Sequence, residues 1–322
     1  MRMLVTAVLM TALMALGACG KNDEAAKSDH LALDAKQRAY QKEILDWRAE
    51  RVQRLQKPDG WLSLVGMHWL ENGVTTRVGS GADNGTRLAV GPQRMGIISV
   101  DRAGTIVHYE PQSDSGITID GVPADKPVDL ITDADPKATP TVVGFNKGDA
   151  SFIVIKRGDR FALRVRDALA PTRTGFTGID YFDINPDFRF VAKFTAHPPG
   201  AKINIVDVLG LDEPMENPGT VTFEKDGKSY TLEAIDEGDH RLFFVFADRT
   251  SGHETYAASR FFYAAYPGPD GTTVLDFNKA YNPPCAFTAF STCPLPPAQN
   301  RLDLAVTVGE KKARKASTPL VP

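Results

Sequence analysis

From Trp61 to Gly309 the chain is a succession of short runs rich in Val, Ile, Thr, Phe and Tyr, each soon broken by Gly, Pro, Asn or Asp. Their length and their β-branched and aromatic content fit pleated strands rather than helices. In the first half the runs are WLSLVGMHWL, TRLAV, GIISVD, TIVHYE, GITID and PVDLIT; later come RFVAKFTAH, KINIVDVLG, RLFFVFAD, SRFFYAAY and RLDLAVTVG. SFIVIKRGDRFALRVRD, Ser151 to Asp167, alternates on both sides of Gly158-Asp159, the pattern of a hairpin with a two-residue turn. That turn accounts for the Arg157-Gly158-Asp159 triplet without a role in cell adhesion. One helical pattern precedes the strands, from Leu33 to Leu55, with Tyr40, Ile44, Trp47, Val52 and Leu55 on one face and Pro58 and Gly60 closing it. The chain is therefore expected to be mainly β. Two β-sandwich or barrel-like domains over 59–170 and 171–310, divided at Ala170–Phe176, follow one amphipathic helix over 33–58.

The first residues give an address. Arg2 precedes an apolar run from Met3 to about Leu16, the layout of an export signal and too short for the ~20 residues of a membrane span. Leu16–Cys19, LGAC, resembles the lipobox of bacterial lipoproteins. The resemblance implies removal of residues 1–18 and acylation of Cys19. Gly20 after the cysteine implies sorting to the outer membrane, facing the periplasm. Residues 19–32 are then a flexible tether and 311–322 a disordered, basic tail. Net charge is −3 over 322 residues, which excludes the basic surplus of a nucleic-acid binder. The partners expected are the membrane, through the lipid, and a small molecule or envelope component.

With Cys19 acylated, Cys285 and Cys293 remain, and in an oxidising compartment they are expected to pair. Closing so short a loop would stabilise the fold by about 2–3 kcal/mol. They lie in DFNKAYNPPCAFTAFSTCPLPPAQNRL, Asp276 to Leu302. Pro283-Pro284 forbids helix there and forces an extended or turning path. Asp276, Asn278, Tyr281 and Asn282 follow a strand directly, and Arg260 and Arg301 are the nearest cations in kind for an anionic ligand; these six are the ligand-binding candidates. Asp248, Glu254 and Asp276 are the acid/base candidates should the chain be a hydrolase.

Several chemistries fail on spacing. Counted from Asp276, a calcium loop would need Gly at the position of Tyr281 and Glu at that of Phe287. Zinc on Cys285 and Cys293 would need His240, His253 or Asp276 as well, and the cysteine spacing is not that of a zinc knuckle. A Cys285 nucleophile would need a base such as His253 and a free thiol. There is no G-x-S-x-G and no phosphate-cradling glycine loop. No metal and no cofactor are expected. Trp61, His68 and Trp69 read as buried aromatic and histidine positions rather than a sugar-stacking face.

The stretches DGWLSLVGMHWLENG, ALRVRD, FADRTSGHETYAASRFF and LDFNKAYNPPCAFTAFSTCPLPPAQNRL together resemble a bacterial family, the domain of unknown function 1684, over most of residues 59 to 310. The resemblance implies no particular activity. The first β-domain is also similar in rhythm to a forkhead-associated sandwich. Ser80 follows Gly79 where phosphothreonine readers need Arg, and no Ser-x-x-His follows, so that function is not implied. The reading is a lipid-anchored envelope protein that binds through its C-terminal loop. The alternatives are a carboxylate-dependent hydrolase of an envelope or extracellular substrate, and a structural lipoprotein whose helix docks a partner.

Overall fold

The computed structural model describes residues 19–135 and 137–314, so the expected signal segment 1–18 and residues 315–322 lie outside it. Two compact units are present, one ending at Trp47 and the other beginning at Arg48. The helix runs over Cys19–Leu55, beginning earlier than Leu33. Between Lys21 and Leu55 there is neither Gly nor Pro, so nothing in the backbone chemistry stops the helix where a tether was expected. No described helix is long and apolar enough to cross a membrane.

Among the described residues the remainder is mainly β, in four sheets, and none closes into a barrel; the arrangement is sandwich-like. In the first half, a six-stranded sheet is built on Leu64–Leu70, Arg160–Asp167 and Ala150–Arg157, and a five-stranded sheet on Thr75–Gly79, Gly96–Val100 and Val107–Pro111. The core between them holds Val78, Ile98, Tyr109, Phe145, Phe152, Val154, Leu163 and Val165. Tyr109 meets Phe152 edge to face, ring centroids 5.7 Å apart. The Ser151–Asp167 hairpin forms as its alternation predicts. Arg157 pairs with Arg160 across Gly158-Asp159, where Gly158 takes a φ of 59°.

In the second half, Lys228–Glu233, Gly219–Lys225, Arg189–Ala196 and Thr272–Asp276 form one sheet. Lys202–Val206, Asp212–Glu216, Ile235–Asp236, Arg241–Phe246 and Arg260–Ala265 form the other. Between them lies an aromatic core with Phe223, Phe244, Phe246, Phe262 and Phe277. Strand Arg241–Phe246 is buried on both faces, as its unbroken apolar run requires. Leu242, Phe244 and Phe246 enter that core, whereas Phe243 and Val245 join Ile205, Ile235, Phe261 and Cys293 in a second cluster. The loop carrying Cys285 and Cys293 is thus the cover of a sheet face. It also adds to the sheet edge: Leu295 N–H donates to Val206 O at 2.8 Å and Val208 N–H to Cys293 O at 3.0 Å.

The basic stretch after Gly309 begins pinned rather than solvated. Lys311 N–H donates to Asp180 O and Lys312 N–H to Glu254 O, each at 2.8 Å. Gly309 has a φ of 80°, and a Cβ there would lie 2.6 Å from Ala280 O, so only glycine lets the last segment approach this closely.

Candidate functional site

Strand Arg260–Ala265 begins with a guanidinium that is 1% exposed. Arg260 Nη2 donates to Asp248 Oδ2 at 2.8 Å and to Val306 O at 2.8 Å, and Nη1 donates to Val308 O at 2.6 Å. Asp248 is equally occupied, accepting from Val306 N–H at 2.9 Å and from the Thr250 hydroxyl at 2.7 Å. Such full pairing offsets the cost of burying a charge at this depth. Arg260 and Asp248 therefore tie the last segment to the sheet, and neither faces a cleft.

Asp276 ends its strand as the cap of a short 3-10 turn, its Oδ1 accepting from Asn278 N–H at 3.0 Å. Arg189 Nε lies 3.9 Å from its Oδ2. Asn278 is fully buried; its side-chain amide donates to Asn185 O and its carbonyl accepts from Asn185 N–H, both at 2.9 Å. Asn282 is buried too, donating from Nδ2 to Lys311 O at 2.7 Å. Tyr281 is half-buried beneath Arg51, whose Cζ is 4.7 Å from the ring centroid, and burial pushes its hydroxyl pKa up to about 12. Arg301 is exposed and serves through its backbone, bridging to Ala247. Glu254 is exposed on its turn.

The structure therefore gives the acid/base candidates separate occupations: Asp248 in the Arg260 node, Asp276 as a cap, Glu254 at the surface. Among the described residues, no three His, Cys, Asp or Glu side chains are grouped as a metal would need. The cavity lined by Trp69, Thr76 and Val100 and the one lined by His197, Asn217 and Asp236 contain none of the ligand-binding or acid/base candidates.

Reactive chemistry concentrates at the cysteines. The expected cross-link is absent: Cys285 and Cys293 are free thiols, the first half-exposed and the second buried. Prolines and backbone bonds fix the loop, and apolar packing holds Cys293, so the fold brings the sulfurs together without a covalent link. Cys285 Sγ lies 3.0 Å from the Ser291 hydroxyl, which is 3.5 Å from Cys293 Sγ, and Cys285 N–H donates to Cys293 Sγ at 3.1 Å. The Cys293 thiol, donating to Cys285, holds the Cys285 pKa down to about 6; the same contact and burial push Cys293 up. Since the thiolate is the reactive form, alkylation of Cys285 should rise through about pH 6 and level off above it, instead of climbing through about pH 8.5 as for a free cysteine. Cys293 should stay unmodified until the protein unfolds. Mass-spectrometric mapping of iodoacetamide adducts against pH checks both; a profile centred near 8.5 would show that the hydrogen bond does not persist in solution.

Two buried partners were not singled out from sequence, Arg51 and Glu310. Arg51 Nε donates to Glu310 Oε1 at 3.0 Å, and Arg51 Nη2 donates to Asn282 O at 2.9 Å. Only the Arg and Glu identities themselves signalled a pair, with nothing local to join positions so far apart in the chain.

Residues 174–311 match a family described as protein of unknown function, DUF1684. Among solved structures, an uncharacterized protein of Haloarcula marismortui, determined by solution NMR, is 34% identical to this chain. That match covers 43% of this chain and 78% of the other, with a TM-score of 0.35. No curated protein matches. Over residues 174–311, less than half of its length, the chain is thus similar to the DUF1684 family.

Proposed function

We propose that this chain is a lipid-anchored protein of the cell envelope, held through Cys19 at the outer membrane and facing the periplasm, that binds a ligand or envelope component through the loop between Asp276 and Arg301. The observation that carries the binding half is the division of labour within this loop. Its polar residues Asp276, Asn278 and Asn282 are consumed by hydrogen bonds within the protein, while its middle presents half-exposed Pro284, Phe287, Phe290 and Leu295 on a fixed backbone. A preorganised loop with apolar groups at its surface loses little entropy on binding. The address rests on the charged, apolar and small-residue order of residues 1–18 and on the cysteine that ends it. Acyl chains contribute about 0.8 kcal/mol per buried methylene, enough for stable anchoring without a spanning helix.

The test is the intact mass of mature protein extracted from membranes. The expected result is a chain that starts at Cys19 and carries acyl groups on that residue. A soluble product with unmodified Cys19 would remove the anchor and the address together.

A further inference from the structure

Strand Arg160–Asp167 alternates Arg160, Ala162, Arg164 and Arg166 with the core residues Phe161, Leu163 and Val165, so its arginines share the face turned away from the core. On a sheet open to water, such a stripe is solvated. Here Arg164 is only 6% exposed, and its Nε has no hydrogen-bond partner. Among the described residues it forms no ion pair, in contrast to Arg157, which holds Asp133 at 3.0 Å. Its neighbours increase the imbalance: Arg157 and Arg166 both act on it as like charges, and Arg166 Nε is also buried and unpartnered. The carboxylates within electrostatic reach are Asp133 for Arg164 and Asp59 for Arg166. Burial accordingly pulls the Arg164 pKa down to about 10.

A buried, unpaired guanidinium is costly for a fold to keep. Among the described residues, the other deeply buried arginines are matched: Arg260 by Asp248, Arg51 by Glu310. We infer that Arg164 is the anchor of a ligand site for a monocarboxylate with an apolar body, at the outer face of this strand beside the cysteine loop. The loop is adjacent, since Arg157 Nε donates to Thr292 Oγ1 at 3.0 Å and the Cys293 sulfur lies within electrostatic reach of Arg164. The free Nε–H together with an Nη–H is the edge that takes a carboxylate in two parallel bonds. Three guanidiniums against the carboxylates of Asp133 and Asp59 leave one net positive charge, which fits a monoanion better than a phosphate dianion. The apolar body follows from the surroundings. The Trp61 ring centroid is 5.4 Å from Arg164 Cζ, and Met67 and Ile153 are the direct cross-strand partners of Arg164 on the same face.

This inference rests on the ligand-binding reading above and supplies the ligand class and a second wall for the site. It is tested by thermal melting of the full chain in acetate, hexanoate or chloride at equal ionic strength, for wild type, Arg164→Met and Arg164→Lys. Wild type should melt several degrees higher in hexanoate than in chloride, with acetate intermediate. Arg164→Met should lose the response and, in chloride, melt no lower than wild type, because it removes an unpaired charge. Arg164→Lys, with a point charge in place of a fork, should bind roughly tenfold more weakly. The inference is overturned if no carboxylate raises the wild-type melting temperature relative to chloride, or if Arg164→Met responds equally. The two readings fail separately. A hexanoate response dependent on Arg164 in protein lacking acyl groups leaves the site and removes the address; correctly acylated protein with no response does the reverse.

Discussion

Replacing Arg260 by methionine should destabilise the protein by about 3–5 kcal/mol, a large share of the 5–15 kcal/mol by which domains are usually stable. The side chains of Arg260 and Asp248 are 1% and 0% exposed, so no water is at hand to take over from the guanidinium. Methionine would fill much of the volume. It would nevertheless strand the Asp248 carboxylate and leave the Val306 and Val308 carbonyls without the donors they have at 2.8 and 2.6 Å. Those carbonyls belong to the segment that returns under strand Arg260–Ala265, so the loss falls on its docking as well as on the ion pair. Urea denaturation should show a lower midpoint with an unchanged slope. Adding Asp248→Leu to Arg260→Met should recover part of the loss, since the stranded charge is then gone. A single mutant within about 1 kcal/mol of wild type would mean that water enters the node and that the buried pair carries little weight.

The β-architecture was legible because it is written locally. Period-2 alternation in Ser151–Asp167 and the glycine at its turn specify the hairpin, and the unbroken run in Arg241–Phe246 specifies a strand covered on both sides. The capping of Asn278 by Asp276 is local as well, two residues apart, yet its polar identities read equally well as a binding site. What the sequence could not show is which exposed-looking polar residues are later covered. Glu310 opens a basic stretch that reads as a solvated end, and it is 0% exposed because its partners, Arg51 and Asn282, arrive from distant segments. Arg164 lies on the face that alternation assigns to solvent, and it is buried all the same. The ligand candidates drawn from Asp276–Arg301 were chosen for polarity near a strand end. In the structure the polarity of Asn278 and Asn282 satisfies backbone groups of neighbouring segments, leaving the Cys285 thiol and the half-exposed apolar groups as the loop's outward chemistry. The free thiols follow the same logic: spacing and compartment argued for a bond, whereas packing alone keeps the two sulfurs adjacent.

The Glu310 node should prove equally sensitive, with a different signature. Glu310 Oε2 accepts from Asn282 N–H at 2.7 Å while Oε1 accepts from Arg51, and Arg51 in turn donates to Asn282 O, so one carboxylate and one guanidinium clamp the two backbone groups of the same residue. Asn282 immediately precedes Pro283-Pro284, which supply no N–H groups of their own, so this clamp sets the position from which the cysteine loop departs. Glu310→Ala leaves a buried guanidinium without its counter-charge, and its Nε–H and the buried Asn282 N–H without acceptors, and should cost about 3–5 kcal/mol. Glu310→Gln keeps an acceptor and the volume but loses the charge, and a cost nearer 1–3 kcal/mol is expected. Because the loop hangs from this point, Glu310→Ala should also expose Cys293 to alkylation under conditions where the remaining fold is intact, whereas Arg260→Met should do so only on global unfolding. Comparing the Cys293 labelling rate with the urea melt of each variant separates the two. Equal labelling of Cys293 in wild type and Glu310→Ala, at a denaturant concentration where both are folded, would show that the loop is held by its packing against Phe243 and Phe261 and not by the Arg51–Glu310 clamp.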